Sequence, residues 1–302
     1  MYLIIGLGED YMKVQELNSE KFSEFLRYCE KYGRDHDETY LPDKKFVANE
    51  DNPTYILLND DEEIVGAVSV VMTPPFRDAS KARFRIFHSV IDNIEVYKLL
   101  LDSIHKHIEG LKIVYLFLPK EKSKTGEIFI KLGFHISRYS YYMERCGEKP
   151  VNPIFPKEIQ LRTIREGVDE VAWCDIINEC FANLAGHVNC TPCKVGDMLK
   201  DEEMIKDGMM ILWDKDKAIG TLCVSRDESE GNLFAFISCV AIIPEYRGKN
   251  LGRNLIRAAI KFGQENGYEN SSLSVNAENI NATNLYLSEG FEEKVVMVCY
   301  DF

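Results

Sequence analysis

The sequence predicts an α+β protein of two tandem domains, each with a mixed, mostly antiparallel sheet flanked by helices. Length is the first observation: 302 residues, 45% of them hydrophobic, amount to about two average domains and suffice for a packed core in each. The second observation is an internal repeat, and the third is a cluster of prolines near the middle of the chain. Together they predict two domains of similar construction.

The repeat appears at two places in each half. ILLNDDEEIVG (56–66) matches ILWDKDKAIG (211–220), and each segment predicts a strand, an acidic turn and a second strand. IFIKLGF, which ends at Phe134, matches LYLSEGF, which ends at Phe291, and each predicts a helix stopped by a glycine. Both landmarks are displaced by about one domain length, which indicates a tandem duplication.

The proline cluster separates the two copies. Pro150, Pro153 and Pro156 fall within seven residues, which favours an extended connector. The predicted division is a domain over 1–149, a linker over 150–156 and a domain over 157–302. The second domain is predicted to contain, in order, strand 159–162, helix 168–181, a short helix 195–201, strands 209–213, 218–225 and 233–243, helix 251–266, strand 271–276, helix 281–289 and a final strand. Antiparallel hairpins followed by a strand-helix-strand unit predict a mixed sheet.

Net charge and cysteine content limit the classes of binding partner, the cellular location and the metal sites that the sequence predicts. A net charge of -13 and a pI near 5.1 argue against a nucleic-acid partner or an anionic membrane, since both require a positive footprint. Nine cysteines without a framework spacing predict free thiols and a cytoplasmic location, and no secretory signal is recognised at the N-terminus. No metal is predicted, because Cys190 and Cys193, with His187 nearby, make only half of a zinc site.

One local exception to the acidity suggests an anionic ligand. The segment CVAIIPEYRGKNLGRNLIRAAIKFGQENG (239–267) predicts a strand, a glycine-containing turn and an amphipathic helix. Residues 246–264 hold five bases and no acid: Arg247, Lys249, Arg253, Arg257 and Lys261. Backbone N–H groups at the start of such a helix can hold a phosphate. Neither a GxxxxGK[ST] run nor a GxGxxG run is present, so a P-loop and a dinucleotide fingerprint are excluded.

A second motif, SLSVNAENINATNLYLSEGF (272–291), follows the first. The pair resembles the GNAT superfamily of acyl-CoA-dependent N-acyltransferases. The first family motif is represented by Ile242, Pro244, Arg247, Gly248, Asn250 and Gly252, and the second by Asn279, Ala282, Leu285, Tyr286, Gly290 and Phe291. Asn250 stands where the family usually has glycine, and the tail after Phe291 is short for the two final strands of the family fold.

The resemblance implies an enzyme that moves an acetyl group from acetyl-CoA to an amine of a small molecule or peptide, by direct attack in a ternary complex. It implies that Tyr286 protonates the leaving thiolate, although the ring is equally suited to core packing. The implied cofactor-binding residues are Val240, Ala241 and Ile242 for pantetheine, Arg247, Gly248, Lys249, Asn250, Leu251, Gly252 and Arg253 for pyrophosphate, and Asn279 for pantetheine or as a helix N-cap. No general base is named, since the central strands offer Ser238 and Ser274 where an acid is usual.

The N-terminal copy is predicted to be degenerate. Its counterpart of the phosphate turn, FHSVIDNIEVYKLL (87–100), contains no glycine, and Phe129 stands in the place of Tyr286. We therefore expect one CoA per chain, in a monomer or a homodimer. The alternative function is a non-catalytic acyl-CoA sensor. Two groups of acids either attract a cationic amine or, as we favour, belong to a solvated surface: Asp197, Asp201, Glu202 and Glu203 in the irregular region 183–203, and Asp227, Glu228 and Glu230 in a turn.

Overall fold

The structure, a computed structural model, describes residues 3–7, 10–33, 36, 40–147, 151–184, 186–229 and 231–302, with side chains from residue 11 onward. The chain divides into two compact units, Met1–Tyr139 with Val296–Phe302, and Ser140–Val295. Among the described residues, no helix combines the length and the apolar character that crossing a membrane requires.

The first unit is a mixed sheet flanked by helices. Its strands are β1 (Leu3–Leu7), β2 (Asp10–Glu16), β3 (Thr54–Leu58), β4 (Ile64–Val71), β5 (Lys81–Ser89) and β6 (Ile113–Pro119), and its helices are α1 (Phe22–Tyr32), α2 (Pro74–Asp78), α3 (Ile94–Ile108) and α4 (Ser123–Lys131). Neighbouring strands pair antiparallel except β5 and β6, which are parallel. Helix α3 packs against β3, β4 and β5, and the predicted hairpin at 56–66 is formed by β3 and β4.

The second unit has the same plan. Its strands are β8 (Ile159–Thr163), β9 (Met204–Asp214), β10 (Lys217–Ser229), β11 (Asn232–Ile242) and β12 (Asn270–Asn276), and its helices are α5 (Glu170–Phe181), α6 (Pro192–Leu199), α7 (Leu251–Glu265) and α8 (Ile280–Ser288). Strands β8 to β11 pair antiparallel in chain order, and β11 pairs parallel with β12. The predicted α+β class, with mixed and mostly antiparallel sheets, is confirmed.

In each unit, one further strand comes from the other half of the sequence. In β7 (His135–Arg145), residues 140–145 pair antiparallel with β12 of the second unit. In β13 (Glu292–Asp301), residues 297–301 pair antiparallel with β6 of the first unit. The end of the short tail after Phe291 thus pairs with the sheet of the first unit. Strand β7, which precedes the proline cluster, pairs with β12 in the sheet of the second unit.

The connector between the halves has no regular structure. Residues 151–156 form neither helix nor strand, and Pro150 lies outside the described residues. The backbone N–H of Ile154 donates to Oδ1 of Asn254 at 2.9 Å, which attaches the connector to α7. A domain boundary at 150–156 stays a prediction, because the compact units exchange β7 and β13 segments instead of following the chain order.

Helix α7 packs its apolar face against the sheet of the second unit. Its predicted apolar face is buried: Leu251, Leu255, Ile256, Ala259 and Ile260 are each at most 3% exposed. On the same helix, a Cβ at Gly263 would stand 2.6 Å from the Cβ of Ala235, so the glycine allows close packing of α7 on β11. This packing fixes the start of α7 relative to the end of β11.

Candidate functional site

The two parallel strands of the second unit separate partway along their length. Pairing between β11 and β12 runs from Phe234 opposite Asn270 to Ile237 opposite Leu273 and then stops. Strand β11 continues to Ile242, yet within the described chain no strand pairs with that edge of residues 238–242. Backbone N–H and C=O groups need partners, so this edge is suited to an extended ligand that hydrogen-bonds like a strand.

A β-bulge lies on β11 at the point of separation. Cys239 has φ +50°, an uncommon value for a residue with a side chain. The register with β10 shifts here, since Thr221 pairs with Ala241 whereas Cys223 pairs with Ser238. The Thr221 hydroxyl donates to the Cys239 carbonyl at 2.7 Å, which stabilises the distorted backbone. Bulges of this kind redirect backbone groups and are frequent beside active sites.

The turn between β11 and α7 presents an exposed backbone. Gly248 has φ +76° and Asn250, the residue before the helix, has φ +59°, so the expectation that Asn250 tolerates a left-handed conformation is confirmed. The Asn250 side chain makes no capping hydrogen bond within the described structure, and the first turn of the helix contains no acid. A Cβ at Gly252 would meet only Leu285 Cδ2, at 3.9 Å. The first N–H groups of α7 are therefore accessible to an anion.

The positive island is partly neutralised by a buried acid. Glu289, at the end of α8, accepts from Arg257 Nε at 2.8 Å and from Arg257 Nη2 at 3.1 Å, and it also pairs with Arg253. Burial works to raise the pKa of Glu289, but the hydrogen bonds from Arg257 and Arg253 outweigh it and hold the pKa below its ordinary value. Arg253 and Arg257 thus join α7 to α8.

The other predicted residues of the turn, Arg247, Lys249 and Leu251, each have a different environment. Arg247 Nε donates to the Ile242 carbonyl at 2.9 Å, so this side chain braces the turn. The Nζ of Lys249 lies 4.5 Å from the ring centre of Tyr246, and Lys249 is exposed. The backbone of Leu251 begins α7 while its side chain is buried. The cluster thus provides exposed backbone groups and one exposed lysine.

Tyr286 lies on α8, next to the start of α7. Leu285 precedes it and approaches Gly252, and Arg253 Nη1 donates to Ser288 Oγ at 3.0 Å. Tyr286 is 9% exposed and packs edge-to-face on Phe291 with ring centres 6.1 Å apart. Burial raises the pKa of Tyr286 to about 12, so its hydroxyl remains protonated at neutral pH.

Asn279 takes the capping position of α8. Its Oδ1 accepts from the Ala282 backbone N–H at 3.3 Å, which satisfies a first-turn donor of the helix. Asn279 therefore acts as a helix N-cap. Contact of Asn279 with pantetheine stays a prediction, and its side-chain NH2 group would make that contact.

The structure places most predicted residues on one continuous path. Val240, Ala241 and Ile242 follow the bulge, the turn from Arg247 to Gly252 comes next, and α8 with Tyr286 packs beside the start of α7. Three contributors were not predicted: Thr221 at the bulge, the bulged Cys239 itself, and Glu289 between the arginines. Only Glu289 had a signal, since it is the acid nearest Tyr286 in the second motif.

The predicted cysteine pair is arranged differently from a metal half-site. Cys190 Sγ lies 3.6 Å from Cys174 Sγ on α5, whereas Cys193 is exposed. The Asn178 side chain bonds the Cys190 backbone N–H at 2.7 Å and the Cys190 carbonyl at 3.0 Å. These contacts order the connection between α5 and α6, which flanks the site.

Comparison with known proteins agrees with this geometry. Residues 171–291, which contain the bulge, the turn and α8, match the model of the acetyltransferase (GNAT) family. A mycothiol acetyltransferase from Catenulispora acidiphila is 25% identical over 206 residues, which are 67% of this chain and 66%, just under two thirds, of that relative's length.

Solved structures share the fold over nearly the whole chain. A GCN5-related N-acetyltransferase from Sphaerobacter thermophilus superposes with a TM-score of 0.69 at 16% identity, covering 96% of this chain and 95% of its own. A tandem GNAT protein from the clavulanic acid biosynthesis pathway gives 0.70 at 13% identity, covering 96% and 98%. At such identities the superpositions establish the fold alone.

Proposed function

Because this chain belongs to the GNAT superfamily of acetyltransferases, we propose that its second unit transfers an acetyl group from acetyl-CoA to an amine of a small molecule or peptide. The observation that carries the proposal is the combination of an unpaired β11 edge beyond a bulge with an uncapped helix start directly after it. An extended arm ending in a pyrophosphate has the shape and charge that such a path accommodates.

Each part of acetyl-CoA has a proposed partner. The backbone of Val240, Ala241 and Ile242 would pair with the pantetheine arm, and one of its N–H groups would stabilise the oxyanion that develops on the thioester carbonyl. The pyrophosphate would be held by the turn residues Arg247, Gly248, Lys249, Asn250, Leu251, Gly252 and Arg253. For the two arginines the backbone is the proposed contact, because their side chains are bonded to Ile242 and to Glu289.

The proposed reaction is direct attack in a ternary complex. The neutral amine nitrogen forms a bond to the thioester carbon, the carbon–sulfur bond breaks, and CoA leaves as a thiolate. The nitrogen gives up one proton to water, Tyr286 supplies a proton to the sulfur, and the resulting phenolate takes back a proton from water. Its pKa of about 12 makes it a weak acid, so positioning next to the leaving sulfur must compensate.

The direct test is thiol release from acetyl-CoA in the presence of a broad panel of primary amines, with CoA binding measured in parallel by calorimetry. We expect turnover with at least one amine and one CoA bound per chain. Tight CoA binding with no turnover across the panel would instead support the non-catalytic sensor. Absence of CoA binding would contradict both functions.

A further inference from the structure

Three strands of the second unit direct polar side chains to one point on a sheet face. The Tyr142 hydroxyl on β7 donates to Oδ2 of Asp227 on β10 at 2.7 Å, and the Ser272 hydroxyl on β12 donates to the same oxygen at 2.7 Å. Ser272 is fully buried. Sequence reasoning singled out only Asp227, as one acid of a turn, and the convergence of the three residues emerges from strand pairing.

The Asp227 carboxylate accepts hydrogen bonds from neutral donors. Its second oxygen, Oδ1, accepts from the Glu228 backbone N–H at 3.0 Å. Among the described residues no lysine, arginine or histidine forms an ion pair with it. Burial raises the pKa of Tyr142, so the phenol stays a donor at neutral pH. A half-buried carboxylate held by neutral donors is a favourable site for a cation.

The position of this cluster relative to the candidate active site follows from strand register. Ser272 lies one residue before Leu273, the last β12 residue paired with β11. Its β11 partner is Phe236, three residues before the bulged Cys239. At about 3.3 Å per residue, Ser272 is level with a point roughly 10 Å along β11 from the bulge, and Asp227, opposite Phe234, with a point roughly 16 Å from it.

One aromatic side chain, Phe236, lies on this sheet face between the cluster and the bulge. Phe236 is directly opposite Ser225 on β10 and Ser272 on β12, so its half-buried ring is on the same face as Asp227. Glu144 on β7, opposite Ser272, adds a second acid to this face. An aromatic ring beside two acids suits a short hydrocarbon chain that ends in a positive charge.

We propose that Asp227, Tyr142 and Ser272 bind the distal cationic group of the acceptor, and that the preferred acceptors are small molecules with two amino groups. One amine would be acetylated at the bulge while the other is held by Asp227. The inference rests on the proposed function for the identity of the reacting end, but the binding of a cation by Asp227 is independent of turnover.

The experiment compares α,ω-diamines of three to eight carbons with monoamines and amino alcohols of equal chain length. Each is titrated calorimetrically into the protein, with and without saturating CoA, and is then assayed with acetyl-CoA. We expect diamines to bind more tightly than both control series, with an optimum at an intermediate length. Asp227→Asn should weaken diamine binding by roughly 10- to 100-fold, as expected for loss of a charge-assisted contact, and should leave monoamine and CoA affinities unchanged.

Glu228→Gln is the matched control, because it removes an exposed charge from the adjacent residue, and diamine affinity should be retained. Tyr142→Phe and Ser272→Ala preserve the charge and should each give a smaller loss, which keeps the test valid if Asp227→Asn does not fold. Equal diamine affinity in wild type and the cluster variants would overturn the inference. So would absence of diamine binding to wild type, or an amino alcohol binding as well as the diamine. Diamine binding that depends on Asp227 without any acetyl transfer would support the inference and contradict the proposed function.

Discussion

The turns before α3 and α7 occupy equivalent positions in the two units but satisfy their helix starts in opposite ways. In the first unit, Asn93 Oδ1 accepts from the Glu95 backbone N–H at 2.8 Å, and Glu95 places an acid in the first turn. In the second unit, as far as it is described, Asn250 makes no capping hydrogen bond, and the first turn has no acid because Gly252 stands at the position of Glu95. One helix start is complete without a ligand, while the other keeps its N–H groups and positive dipole end for an anion.

The strands that lead into these turns, β5 and β11, also differ: the first is closed by packed side chains, and the second has an unpaired edge in the described chain. The hairpin match aligns Gly66 with Gly220, which places Phe87 of β5 at the position of Val240 of β11. Phe87 stacks on Phe129 with ring centres 5.0 Å apart, and both side chains are fully buried. Phe129 in turn holds the position of Tyr286. The first unit fills with phenyl rings the place where the second unit has an unpaired strand edge and a phenol, so the same scaffold holds close packing in one unit and the candidate site in the other.

The largest expected effect tests whether CoA binding belongs to the second unit alone. Gly252→Asp gives α7 a first-turn acid, as α3 has, and places bulk and negative charge where the pyrophosphate is proposed to bind. We expect CoA affinity to fall by 10²-fold or more, since repulsion replaces a favourable dipole contact. Calorimetry should show one CoA per wild-type chain and no residual site in the variant.

The fold should survive this change, because the new Cβ meets only Leu285 Cδ2 at ordinary contact distance. Gly196→Asp on α6 is the control, since a Cβ built there would meet no other described side chain or strand within 4 Å, and the residue lies outside the turn. Two CoA molecules per chain, or unchanged affinity in folded Gly252→Asp, would place the cofactor elsewhere.

The next effect concerns the phenol that distinguishes the two units. Tyr286→Phe removes the hydroxyl and keeps the ring contact with Phe291. We expect kcat to fall by roughly 10²-fold, within the range for loss of a general acid, with little change in CoA affinity or melting temperature. Because the pKa of Tyr286 is raised to about 12, the wild-type rate should show no alkaline loss from this group between pH 7 and 10.

Tyr300→Phe makes the same chemical change at a buried tyrosine of the first unit and should leave kcat unchanged. If Tyr286→Phe altered only the KM for acetyl-CoA, Tyr286 would be a binding residue. An unaltered kcat would assign the proton to water or to another group.

The reverse substitution, phenylalanine to tyrosine, can be made at the equivalent position of the first unit. Phe129→Tyr places the phenol of the second unit in a fully buried position. We expect loss of about 1–3 kcal/mol in the free energy of unfolding, because the tightly packed ring cluster must accommodate an added oxygen. Denaturant titration measures this loss, and CoA stoichiometry should stay at one. A second CoA bound by the variant would show that Phe129 alone had closed the first unit.

The smallest effect is a pH dependence confined to the second unit. The folded-state pKa of Glu289 is lowered from about 4.5, so this carboxylate stabilises the fold above its unfolded value and loses that contribution as pH falls through the folded value. Glu289→Gln should lower the melting temperature by roughly 2–4 °C at pH 7, and the gap should close on acidification below pH 4.5.

Glu265→Gln is the control, since its contact with Lys261 is 3.8 Å long and lies at the surface, where an ion pair contributes little. A constant gap between wild type and Glu289→Gln down to low pH would mean that Glu289 acts through packing instead of charge.

The sequence by itself determined the parts of this protein that are local. Hydrophobic periodicity defined α7 and its buried face, the glycine after α8 ended that helix, and the two motifs identified the turn and Tyr286. Each depends on residues within one or two turns of each other, so a linear pattern records it. Even the left-handed Asn250 was expected from its side chain alone.

Tertiary structure decided the features that join distant parts of the chain. The exchange of β7 and β13 segments between the sheets, the neutralisation of Arg253 and Arg257 by Glu289, and the meeting of Tyr142 with Asp227 span from 32 to well over 100 residues of sequence. Spacing in the sequence carries no record of such partners. They are selected by strand register and by the requirement that buried charges and backbone groups be satisfied, and both conditions exist only once the sheet has formed.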